Sequence, residues 1–286
     1  MLLAAGALLA GCGAPATSAH GRTTSGVPTI GSDRGSTATG TSGPLRLPRV
    51  TAWHPNRGDV DPLVKLVAVR DVEQRGNTAR AALQVVDAQY GGLSTDAASV
   101  LVVCQRWTRR PDGSVRSGGS TFDVRVGRVG RRWHVTAIHP SHPGPAAVRV
   151  SPTAHDVLGS SRITLPPASI ADVRSGRVHD SVLSAMLLLS RSYRLGVSVV
   201  RSGHPRYVFG TDRLSDHPQG RAFDTWQIDG RLVVDPGTPR GLVAGYMAAA
   251  AAAGSYNVGG PYLLGSAPQF FSDATHHDHV HAGFAS

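Results

Sequence analysis

SDHPQGRAFD at residues 215–224 and DHVH at residues 278–281 are the two strings on which the reading of this chain turns. Zinc takes imidazole nitrogen and carboxylate oxygen, and a catalytic zinc keeps three protein ligands and one open position. His217 and Asp224 in the first string, and His279 and His281 in the second, offer those donor types. Two residues apart on a strand, His279 and His281 project to the same face, so both can look into one pocket. Pro218 and Gly220 favour a turn after His217, and a short strand over 221–226 can then bring Asp224 to the same metal. Spacing permits this closure without requiring it, because a loop of this length can also hold the two residues apart.

Together the strings match the pattern SxHxxGxAxD followed by HxH, with Ser215, His217, Gly220, Ala222 and Asp224 in register. In these residues the stretch from about 170 to 284 resembles the zinc peptidases of the D-alanyl-D-alanine carboxypeptidase and L-alanyl-D-glutamate endopeptidase type. That group also contains lysostaphin-like endopeptidases and the hedgehog signalling domain. The resemblance implies one Zn2+ per chain, held by His217, Asp224 and His281. It implies a general base at one of two positions, the acidic residue three before the last ligand, here Asp278, or the first histidine of HxH, here His279. Family position favours Asp278 and leaves His279 to orient substrate. Strand parity sets Asp278 opposite to His281 unless it lies at the strand's entry. The family's SGYR-like string reads SGHPRY here, with Ser202 and Gly203 kept and Pro205 where the arginine belongs. Arg206, Arg213 and Ser215 are then the residues expected at the substrate or its oxyanion, since a developing oxyanion needs a donor.

Eight further histidines have plainer readings. His20, His54, His139, His142, His155 and His179 are expected as solvated polar residues, and His276 and His277 as rim or substrate contacts.

The chain opens MLLAAGALLAGC, an apolar run ending in a string that resembles a bacterial lipobox, with Cys12 as the acylated residue. A bilayer span needs about 20 residues, so the run is read as a signal peptide over 1–12. It lacks a basic n-region, which an upstream start codon accounts for. Residues 13–47 are Gly, Ser, Thr, Pro and Ala with almost no large apolar side chain, and are expected as a disordered tether with a root-mean-square reach of about 30–35 Å. The implied location is the outer face of the cytoplasmic membrane in the cell envelope, with peptidoglycan peptide as partner. Cys104, the other of two cysteines, sits in ASVLVVCQRW and reads as a buried small apolar residue, with no disulfide expected.

The sequence predicts an α+β chain with two folded units, 48–140 and 153–286, joined by a Pro- and Gly-rich linker over 141–152. In the first, KLVAVRDV, ASVLVVCQRW, STFDVRVGRV and RRWHVTAI are apolar, β-branched runs, and PDGS and VGRR mark hairpin turns. Residues 78–90 fit a helix and a strand about equally. This unit resembles cystatin-like and nuclear-transport-factor-two-like domains by strand order, carries no catalytic constellation, and is expected as a spacer, docking surface or regulator. In the second, Val178, Val182, Ala185, Met186 and Leu189 share a helical face, with Gly196 expected to end that helix before the strand VSVV. RLVVD after the turn Asp229-Gly230 reads as a strand, and PRGLVAGYMAAAAAAG as a helix stopped by Gly254. The resemblance implies an antiparallel sheet with flanking helices here.

Formal net charge is +10, carried by 29 Lys and Arg against 19 Asp and Glu, and Lys65 is the sole lysine. No finger, recognition helix or Arg-aromatic alternation accompanies the charge, so nucleic acid is not expected as a partner, and if the charge has a role, anionic wall polymers or lipid head groups suit it better than DNA. Three function classes follow: a lipid-anchored zinc peptidase, a wall- or protein-binding module that keeps the peptidase fold, and a metal-scavenging lipoprotein.

Overall fold

The computed structural model describes residues 46–285. Cys12, the apolar run and all but the last two residues of the 13–47 stretch lie outside the described residues. The described chain is mixed α+β, with five helices, a four-stranded antiparallel sheet and a mixed seven-stranded sheet.

The first sheet follows helix α1 (Pro62–Gly76) and is a meander of β1 (Ala81–Leu93), β2 (Ala97–Arg109), β3 (Val115–Val129) and β4 (Arg132–Pro140). KLVAVRDV, grouped with the strand-like runs, lies in α1. Pro62 starts the helix, and Val64, Ala68, Val69 and Val72 recur at helical spacing as its buried stripe. Residues 81–90 resolve to strand, paired with β2 along their length. Because side chains alternate, the sheet has two different faces. Val100 and Val102 face the α1 core, while Leu101 and Val103 pack against Val199 of the second sheet. Gln89, Ser99, Thr121 and Asp123 are also buried in this sheet.

The second sheet is built from α2 (Pro152–Gly159), β5 (Ile163–Thr164), α3 (Pro167–Arg174), α4 (Asp180–Ser190), β6 (Leu195–Val199), β7 (Ala222–Ile228), β8 (Arg231–Leu232), α5 (Arg240–Ala252), β9 (Asn257–Gly259), β10 (Phe270–Phe271) and β11 (Val280–Gly283). Its order is β10-β9-β11-β7-β6-β5, with β8 on β7. The middle pairings are antiparallel, but β10 joins β9 and β5 joins β6 in parallel, so the sheet is mixed where a purely antiparallel one was expected. Gly196 does not end α4; it lies inside β6, where a Cβ would come 2.7 Å from that of Gln227. Only Arg231–Leu232 of RLVVD pairs as strand. Ser141 N–H donates to Thr121 O at 2.7 Å and Ala147 N–H to Arg174 O at 2.8 Å, so the segment between the sheets is bonded to both sides.

Candidate metal centre

β11 lies antiparallel to β7 in a register that sets His281 directly opposite Asp224. Directly opposed residues share a face, so two positions 57 apart in sequence become a cross-strand pair, with His281 Nδ1 3.0 Å from Asp224 Oδ1. His217 enters from the loop before β7. Gly220, at φ +73, turns that loop so closely against the chain that a Cβ would lie 2.1 Å from Arg177 O. This requirement gives the glycine of the first string its structural reason. His217 Nδ1–H donates to Val200 O at 2.8 Å, which leaves Nε2 as the lone-pair nitrogen. That nitrogen is 3.1 Å from Asp224 Oδ1 and 3.1 Å from His281 Nδ1.

A third histidine stands beside them. His204 stacks on His217 with ring centroids 4.2 Å apart, and His204, His217 and Asp224 form a group that could hold a metal ion. The donor chemistry suits zinc, whose ligands at 2.0–2.1 Å in a tetrahedral site are about 3.3 Å from one another. The protonation states suit it as well. Burial resists the charge on Asp224, but the imidazoles of His217 and His279 outweigh it and hold the carboxyl well below its usual range. Burial pushes His281 down to about 4 against the pull of Asp224, and drives His204 well below the usual histidine value. A charged carboxylate at Asp224 and neutral imidazoles at His204 and His281 are forms a cation binds.

Asp278 and His279 face different neighbours. Asp278 Oδ1 accepts His279 Nδ1–H at 2.6 Å, and Oδ2 accepts from Lys65 Nζ at 2.6 Å and from Tyr90 N–H at 3.2 Å. Both oxygens are engaged, and the carboxylate is turned toward the first unit; Asp278 and His279 precede β11, so strand alternation does not set where they point. His279 Nε2, 3.8 Å from Asp224 Oδ1, faces the donor group. Burial opposes protonation of His279, yet Asp224 and Asp278 together raise its pKa above the ordinary histidine value.

A cleft of about 620 Å³ opens over this group. Arg213 and Ser215 line it, and Ser215 is buried with Oγ 3.3 Å from His204 Nδ1. Arg206 instead stacks over Tyr207 and borders a neighbouring, shallower depression. His276 lines the cleft with Nδ1 bonded to Asp273 at 2.8 Å, whereas His277 turns away and accepts Val60 N–H at 2.9 Å. The first sheet contributes Tyr90 to Leu93 as one wall, and Gly92 allows Phe209 to lie where a Cβ would be 2.1 Å away.

Three participants escaped the reading of the strings. His204 was visible only as part of SGHPRY. Lys65 is fully buried and ion-paired to both Asp59 and Asp278; burial opposes its charge and the two carboxylates restore it. Its signal was being the one lysine in a chain whose other strong cations are all arginine. Gln89 donates from Nε2 to Asp224 Oδ2 at 2.6 Å, and nothing in its sequence neighbourhood announced it. A second acid-histidine group, Asp59, His277 and Asp278, already has a cation, the Lys65 ammonium. Cys104 is buried, and burial pushes its thiol pKa up. No helix among the described residues is long and apolar enough to cross a membrane.

Comparison of the chain with protein-family models, with curated proteins and with solved structures found no match.

Proposed function

We propose that this protein is a zinc-dependent peptidase of the envelope, tethered through Cys12 and acting on amide bonds of peptidoglycan stem peptides. The second sheet and its helices are then a domain of the D-alanyl-D-alanine-peptidase and hedgehog kind, and the first unit a cystatin-like or nuclear-transport-factor-two-like partner to it. The observation that carries the reading is the convergence of His217, Asp224 and His281, with mutual donor distances of 3.0–3.1 Å, beside a cleft lined by His281 and by His279, whose Nδ1–H is held by Asp278.

His217 Nε2, Asp224 Oδ1 and His281 Nδ1 are the atoms that would hold the zinc. When bound there, zinc supplies a Lewis acid that polarises a carbonyl and acidifies a water molecule. His279 does the proton work. Its Nδ1–H is fixed on Asp278, so Nε2 is the free acceptor, and it takes a proton from the attacking water. Water oxygen bonds to the carbonyl carbon, the C–N bond breaks, and the same proton passes from His279 to the leaving amine. Asp278 and Lys65 orient the imidazole and do not themselves exchange the proton. Arg213 and Ser215, on the cleft wall, are the donors in reach of substrate, in place of the arginine absent at Pro205.

Incubating the zinc-loaded protein with muropeptides and assaying for new amine tests this. Release that disappears in His279→Ala supports the peptidase. A second reading, a wall-binding module that keeps the fold and metal without cutting, is favoured by Pro205 and by the exposure of both candidate arginines. Wall binding by a metal-loaded protein that releases no amine selects that reading.

A further inference from the structure

We propose that Gln89, on the first sheet, is a positioning residue for the metal ligand Asp224, a role that rests on the zinc reading above. The two oxygens of Asp224 have separate partners. Oδ1 faces His217 and His281, while Oδ2 accepts the Gln89 Nε2–H at 2.6 Å. The amide cannot turn round without loss. Ser198 Oγ–H donates to Gln89 Oε1, so the carbonyl end is committed and the NH2 end must face the carboxylate. Ser198 lies on β6, the strand adjoining β7, so the chain of bonds runs from the second sheet to the first and back to Asp224.

All three residues are buried, at 1% exposure for Gln89 and Ser198 and 0% for Asp224, so solvent does not replace a lost bond. Without the amide, Oδ2 is left as a buried acceptor with no donor, or the carboxylate rotates and offers both oxygens to the ion. Either outcome changes the centre. A capped Oδ2 keeps Asp224 a one-oxygen ligand and leaves a coordination position open for substrate. The donor is also neutral, which matters here. A lysine or arginine at position 89 would compete with the cation for the same charge, whereas an amide orients the carboxylate and leaves its charge to the metal. The first unit is therefore part of the metal centre as well as a wall of the cleft.

Gln89→Met, close in shape but without the donor, and Ser198→Ala test this in the full chain. Zinc affinity is measured by chelator competition, and the visible absorption of the cobalt(II)-substituted protein reads coordination number without any turnover. Gln89→Met should weaken zinc binding about 10- to 100-fold and reduce the cobalt band toward five-coordinate intensity. Ser198→Ala should move both in the same direction by less. Native affinity and spectrum in a folded Gln89→Met protein would overturn the role of Gln89 and leave the zinc reading standing. If that variant does not fold, native affinity and spectrum in Ser198→Ala overturn it alone. An unsubstituted protein that binds no zinc removes the zinc reading and this inference together.

Discussion

The seven-stranded sheet and its preceding loop present the donors His217, Asp224 and His281; the four-stranded sheet presents none of these, and sends Gln89 to the back of Asp224 and Tyr90 N–H, with Lys65 from α1, to Asp278. In the proposed reading one unit carries the chemistry and the other the orientation. The difference shows in polarity as well as position. The face of the first sheet that meets the second joins a small apolar patch of Leu101, Val103 and Val199 to a set of buried polar contacts. A surface serving only adhesion would have little use for a buried lysine and glutamine, because buried polar groups must each find partners.

Substitution on the two sides separates these roles. Asp224→Ala, on the donor side, should take zinc from one ion per chain to none by elemental analysis and abolish amine release. His279→Ala should keep the ion and lower the turnover rate by about 10²- to 10⁴-fold, the usual yield of a positioned proton acceptor. Retention of full turnover in that variant would return the proton to another group. On the orienting side, Lys65→Met removes the counter-charge of two buried carboxylates. Chemical denaturation should report a loss of about 3–5 kcal/mol, the cost of breaking one side of a buried ion pair. A Lys65→Met protein of native stability would mean that Asp59 and Asp278 are not held as charged partners.

The smallest effect expected is a pH dependence belonging to the first sheet. Asp87 is buried with Oδ2 unpartnered, and burial raises its carboxyl from 3.8 to about 7, with Lys65 opposing. Its folded value lies above its unfolded one. The stability it contributes at low pH is therefore lost as pH rises from about 4 to about 7, because the unfolded chain ionises first. Asp87→Asn should melt higher than the parent protein at pH 8 and show no such advantage at pH 4. At this chain length each kcal/mol corresponds to about 2–4 °C. Equal melting differences at both pH values would show that Asp87 does not titrate in that range.

Much of the donor set was legible because motif residues do local work. Gly220 turns a loop against Arg177 O, and His281 sits in a short strand directly opposite Asp224, so both leave marks in short strings. Asp278 and His279 lie just before β11, where alternation does not reach, so their orientations were not readable from the string. Helix α1 was missed in KLVAVRDV because β-branched residues suit a strand and a buried helix stripe alike. The short edge strands β5 and β10 were out of reach, since two residues carry no period.

The sequence by itself determined the donor types, the pairing of the two strings, the hairpin turns and the helix over 240–252. Tertiary structure decided which of Asp278 and His279 faces the donors, that His204 stacks beside them, and that Lys65 and Gln89 belong to the site. The reason is range. Turns, caps and alternation act between residues a few positions apart, while Gln89 meets Asp224 across 135 positions and Tyr90 meets Asp278 across 188. Such contacts exist only once two sheets have packed, and a single buried amide or ammonium leaves no periodic trace of where it will point.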